Sequence, residues 1–201
     1  MAAGKVLIGF SKPYVAIYSN SNGTTTYSDG QQLARGVSVS LEAETSDENI
    51  FYADNQAAEV AGATFTSGTA TLTVDGLKDE ARALIMGLPD PESYTVSTGT
   101  SVDVYHYGDA QAIPYVGIGF IAMFQEDGVY SYQATILPKC KFNMDSLSAN
   151  TKGEDIEWQT SELVANILRD DTTNHDWRYV TEELASEGAA EAYIKALFSV
   201  A

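Results

Sequence analysis

Val116-Gly117-Ile118-Gly119-Phe120-Ile121-Ala122-Met123-Phe124 leads into an Asp127-Gly128 pair, after which a second run opens at Val129. The fold turns on this stretch. Gly117 to Ala122 formally matches the G-x-G-x-x-A fingerprint of dinucleotide-binding proteins. That chemistry needs its glycines in a strand-to-helix turn, so that a phosphate meets a helix N-terminus. Here the apolar run continues past the glycines and then meets Asp-Gly, the dipeptide that most often closes a two-residue hairpin. Both glycines therefore lie within a strand and on one face of it. Their predicted role is to let another backbone or a bulky side chain approach.

Outward from that hairpin, period-two alternation dominates, as half-buried strands require. Val37 to Glu44 places its apolar residues on odd positions, and Thr69 to Val74 places them on even ones. Val102, Val104 and His106 share a face, as do Tyr130, Tyr132, Ala134 and Ile136, and Ile156, Trp158 and Thr160 continue the pattern. Two helices interrupt it. Leu77, Ala81, Leu84, Ile85 and Leu88 follow helical spacing after Asp75, a predicted N-cap, and Gly87, Pro89 and Pro91 end the run. A C-terminal helix is predicted over 181–199, with Glu182 and Glu183 in its first turn and a stripe of Ala189, Tyr193, Ala196, Leu197 and Val200. Ser, Thr, Asn, Asp and Gly crowd 19–36, 45–57 and 143–154, which read as loops. The predicted fold is mainly β, a sandwich or barrel with a short flanking helix and a C-terminal helix. It forms a single domain over 1–201 with a flexible N-terminal arm.

Composition removes several functions. The 201 residues carry 28 acidic and 11 basic side chains, a formal net charge of -17. A nucleic-acid binder needs clustered Lys and Arg to neutralise phosphates, and this surface would repel them. Cys140 is the only cysteine, so there is no intramolecular disulfide framework. Lys139 and Lys141 flank it but point to the opposite face of a strand, which predicts a buried, inert thiol. The apolar run Val6 to Phe10 is too brief for a signal-peptide core, and Ala112 to Phe124 is too short for a membrane span. Neither Asp170, Asp171 and Asp176 nor Glu42, Glu44 and Asp47 has EF-hand spacing, so a solvated acidic face is expected rather than a metal site. With His106 and His175 as the only histidines and no nucleophile elbow, no catalytic residue and no cofactor is predicted.

Two segments carry a resemblance. Ile50-Phe51-Tyr52-Ala53-Asp54-Asn55, followed by Ala58-Glu59, and Pro114 to Phe120 together resemble the major tail proteins of long-tailed phages that infect Gram-positive bacteria. The helix after Asp75-Gly76-Leu77, the strand Thr135 to Phe142 and the segment Glu191 to Phe198 appear in that family's order. The matching positions are Tyr52, Ala53, Asp54, Glu59, Pro114, Tyr115, Gly117, Gly119 and Phe120.

The resemblance implies a structural virion protein, assembled in the host cytoplasm. Its subunits form hexameric rings that stack into the tail tube through which DNA passes without specific binding. Its partners would be further copies of itself and the tape measure, tail terminator and distal tail proteins, with no membrane involved. Some family members carry an immunoglobulin-like C-terminal domain, for which this length leaves no room.

The resemblance also implies that Tyr52, Asp54, Asn55 and Glu59 form an intersubunit contact. From their alternation and the acidic excess, Glu42 and Glu44 are the candidates to line the lumen; a solvated outer sheet face is the alternative. The rival reading for the whole chain is a secreted or cell-surface β-sandwich that binds carbohydrate. The missing signal peptide and the ordered segments speak against it.

Overall fold

A computed structural model describes residues 4–144, 146–153 and 157–200. Its strands are β1 (Val6–Ser21), β2 (Thr24–Gln32), β3 (Gly36–Thr45), β4 (Asn49–Ala53), β5 (Gln56–Ala61), β6 (Phe65–Val74), β7 (Glu92–Thr95), β8 (Ser101–Val104), β9 (Val116–Glu126), β10 (Val129–Phe142), β11 (Ser161–Leu168) and β12 (Tyr179–Val180). Its helices are α1 (Asp79–Met86) and α2 (Glu187–Leu197).

The main sheet is antiparallel, with the order β2-β1-β9-β10-β11-β6-β3 and β12 beside β10. Strand β10 is the point of division: Lys139 to Phe142 pair with β11, whereas Thr135 and Ile136 pair with β12. The sheet folds over on itself there. One core joins Val15, Val116, Ile118 and Phe120 of the first half to Ala70, Leu72, Val74, Leu163, Ala165 and Ile167 of the second. The result is a β-sandwich, as the alternation predicted.

The Asp127-Gly128 hairpin forms as read. Asp127 (φ 48°) and Gly128 (φ 82°) make the two-residue turn between the paired Glu126 and Val129. Asn22 (φ 51°) and Gly23 (φ 79°) do the same between Ser21 and Thr24. The expected 19–36 loop is therefore largely the β1–β2 hairpin. Its polar composition reflects an edge strand in which Tyr27 and the following Leu33 are buried. The expected 45–57 loop is corrected likewise: beyond 46–48 it becomes the β4–β5 ribbon. The N-terminal segment is strand from Val6 onward, paired to β9, and residues 1–3 lie outside the described residues.

Strand β9 is buried on both faces from Val116 to Ile121. Its even residues enter the sandwich core, and its odd ones meet α2. A Cβ added to Gly117 would lie 2.5 Å from Tyr27 Cε1 and 3.0 Å from the Phe198 ring. One on Gly119 would lie 2.9 Å from Ile194 Cγ2. The two glycines thus form the floor on which the C-terminal helix rests, which explains the fingerprint-like pair without a cofactor.

Helix α1 buries Ala81 and Ile85, with Leu77, Leu84 and Leu88 packed on the core, as the spacing predicted. Its N-cap position is Lys78 rather than Asp75, whose carboxylate instead accepts from the Arg35 backbone N–H and guanidinium. Helix α2 starts later than 181, at a Ser186 cap whose Oγ accepts from the Ala189 N–H at 3.2 Å. Its buried stripe is Ala190, Ile194 and Phe198, so the predicted stripe is rotated by about one residue and Tyr193 faces outward. Burying Ile194 and Phe198 contributes roughly 1.5–3 kcal/mol each. Of the strand expected around Ile156, Trp158 and Thr160, Ile156 lies outside the described residues, 157–160 are irregular, and β11 starts at Ser161.

Candidate assembly surfaces

Between β3 and β6 the chain leaves the sandwich as a ribbon. Ser46 N–H donates to the Thr64 carbonyl at 2.8 Å, and Thr64 N–H donates to Ser46 Oγ at 3.1 Å, which pins the base. Among the described residues, strands β4 and β5 then pair only with each other and close through Asp54 (φ 53°) and Asn55 (φ 62°). Asp and Asn tolerate this left-handed conformation better than other non-glycine residues, which is why they occupy the turn. Tyr52, Asp54, Asn55 and Glu59 are all exposed and lie on this one arm, so the structure brings together the residues expected at a contact.

Phe51 and Tyr52 are 63% and 62% exposed, and Glu59 stands opposite Phe51 in the register. From Ser46 to Thr64 the arm carries Asp47, Glu48, Asp54 and Glu59 and no Lys or Arg. An isolated two-stranded ribbon is marginal in water, and one that displays aromatics is unusual unless something covers it.

Glu42 and Glu44 lie on the exposed face of β3, opposite in direction to Val39 and Leu41, which pack on the core. Glu42 pairs in register with Thr69 and Glu44 with Ser67, and Ser67 Oγ donates to the Glu44 carboxylate at 2.7 Å. The same face continues through Thr71 and Thr73 to Glu162 and Asn166 of β11. It is a hydroxyl-rich wall whose carboxylates outnumber its cations, and Lys141 stands at its border beside Asn166.

A second ribbon, β7–β8, was not legible as one. It displays Tyr94, Val102 and Val104, while His106 sits outside the strand with Nε2 3.8 Å from Glu92 rather than on a buried face. Tyr115 is exposed under the Lys139 and Lys141 ammonium groups, at 4.8 and 5.6 Å from its ring centre. The positions that carry the resemblance therefore divide. Tyr52, Ala53, Asp54 and Glu59 are exposed on the arm, whereas Gly117, Gly119 and Phe120 build the core.

Asp170 is buried, and its carboxylate accepts from Thr172 N–H and Oγ1 and from the Tyr179 hydroxyl. Asp171 is held by Lys139 and Tyr18, which depress its pKa. No group of three His, Cys, Asp or Glu side chains gathers at metal-binding distance among the described residues. Cys140 is buried, and desolvation pushes its thiol pKa up. No described helix is long and apolar enough to cross a membrane. Comparison with protein-family models and with curated proteins finds no match.

Proposed function

We propose that this chain is a self-assembling structural protein, a tail-tube subunit whose copies form stacked, hexameric rings around a DNA conduit. The observation that carries the reading is the arm: an acidic two-stranded ribbon with Phe51 and Tyr52 exposed, whose strands pair with each other and with no other strand among the described residues. A partner would supply the burial that the ribbon lacks. The hydroxyl-rich, acidic outer face bearing Glu42 and Glu44 supports the conduit part, because a negative wall repels phosphate within roughly a Debye length, about 8 Å at physiological salt. The segment order that resembles major tail proteins supplies the architecture.

Sedimentation velocity over a concentration series tests the reading. The intact protein is expected to form large species above a threshold concentration. A variant with 49–61 replaced by a short Gly-Ser link is expected to stay monomeric with unchanged circular dichroism. Equal assembly by the shortened protein would remove the arm from the account.

A further inference from the structure

The sandwich is not closed along its whole length. Beyond Phe120, a groove of about 290 Å³ opens on the core face of the first sheet half. Leu7 stands opposite Phe124 in register and Thr135 opposite Val180, so these residues share one sheet face, and Leu41 of β3 lines the groove with them. Leu7 is 62% exposed and Val180 is 45% exposed, although both lie on the face that forms the core one turn of the pleat away. Arg178 also lines the groove; its guanidinium stacks 4.8 Å from the Trp177 ring centre and makes no ion pair among the described residues. No carboxylate among the described residues lines it.

We infer that this groove is the acceptor for the β4–β5 arm of a second copy, with Phe51 inserted among Leu7, Leu41 and Val180 and with Glu59 meeting Arg178. The inference rests on the self-assembly proposed above. Complementarity carries the match in both size and sign. The groove has room for an aromatic side chain and presents a cation, in a chain that has few. The arm presents Phe51 with Glu59 directly across the ribbon on the same face and has no cation of its own. An aromatic anchor in an apolar pocket with a charged pair at its edge is how binding energy concentrates in protein contacts. Arm and groove are different surfaces of one chain, so a contact that two copies do not reciprocate is heterologous and passes from copy to copy, closing into a ring or extending as a filament.

Cysteine pairing tests this, because native Cys140 is buried. Phe51→Cys protein mixed with Val180→Cys protein under assembly conditions should give a disulfide-linked dimer, since bridged Cα atoms must lie within about 7 Å. A mixture of Phe51→Cys with Tyr193→Cys, on the exposed side of α2, should not. In parallel, Arg178→Glu and Glu59→Lys should each raise the threshold concentration for assembly at least tenfold, and the double variant should return to within about threefold of the parent.

Assembly by the parent protein with no linkage above the control would overturn the groove assignment and leave the assembly reading standing. So would linkage within a single dilute chain carrying both cysteines, which would place the arm in its own groove. A double variant no better than the worse single one would also overturn it. Absence of any assembly by the parent would overturn both.

Discussion

Adding a single methyl group to Gly117 tests whether the glycine pair exists to seat α2. In Gly117→Ala the new Cβ would lie 2.5 Å from Tyr27 Cε1 and 3.0–3.1 Å from the Phe198 ring. Tyr27 cannot step aside cheaply, because its buried hydroxyl donates to the Pro138 carbonyl at 3.0 Å and its ring packs on Phe198 at 4.9 Å between centres. Overpacking of this kind costs roughly 1–3 kcal/mol. Replacing glycine within a strand returns about 0.5–1 kcal/mol of backbone entropy. The net expectation is a loss of about 1–2 kcal/mol, read as a urea midpoint lower by roughly 0.5–1 M.

Gly119→Ala should cost less. Its closest approaches, 2.9 Å to Ile194 Cγ2 and 3.0 Å to Ile136 Cδ1 and Phe198 Cε2, are all longer than the 2.5 Å to Tyr27 at Gly117. Combining Gly117→Ala with Phe198→Leu should be less costly than the sum, by about 0.5 kcal/mol or more, since the two changes share one contact. Urea unfolding followed by circular dichroism measures the parent, the two glycine variants, Phe198→Leu and the double variant. Stability of Gly117→Ala equal to or above the parent would refute the seating argument.

Glu191 is held by Lys12, Tyr14 and Lys195, with its pKa pushed down from an ordinary 4.5 to about 2. Because the folded value lies below the unfolded one, its contribution is complete above pH 4.5 and disappears as pH falls towards 2. Glu191→Gln should therefore cost roughly 1–2 kcal/mol at pH 7 and much less at pH 3, measured by urea unfolding at both values; an equal loss at the two pH values would contradict this. Cys140 should react with a thiol reagent only as fast as the protein unfolds, and rapid labelling of the native protein would contradict its burial. Asp54→Lys should leave the monomer folded while raising the assembly threshold at least tenfold, and normal assembly would show the turn to be idle surface. Glu42→Lys combined with Glu44→Lys should leave tubes intact and slow DNA passage; unchanged passage would place that face outside the lumen or show that its charge does not govern mobility.

Much of the sandwich was legible because its alternation is strict. Ala70, Leu72 and Val74 are fully buried on one side of β6, and the Asp127-Gly128 turn specifies both partners of a hairpin. Strand β11 carried the same signal in Leu163, Ala165 and Ile167, and Asn22-Gly23 carried the same turn chemistry. Edge strand β2 hid behind its composition. An edge strand buries little, so Thr, Ser, Asp and Gln dominate it and resemble a loop. Helix α2 was legible as a helix but not in its rotation. Only the glycine floor of β9, contributed from a distant part of the chain, selects Ile194 and Phe198 over Tyr193 and Ala196 as the buried face.

For the candidate site, the turn at Asp54-Asn55 could be read locally. That the flanking strands stand off the sandwich depends on long-range pairing, with β3 and β6 joining each other beneath them. The groove opposite Arg178 is less accessible still to sequence reasoning, because it exists only where one sheet half outruns the other.

Electron microscopy of the purified protein, concentrated in the absence of any partner, is the most direct test of the central claim. Rings or tubes of uniform width with a central channel are expected, and averaged images should place the hydroxyl-rich face of β3, β6 and β11 against that channel. Dispersed monomers at every concentration, with the arm equally unprotected from hydrogen exchange throughout, would contradict it.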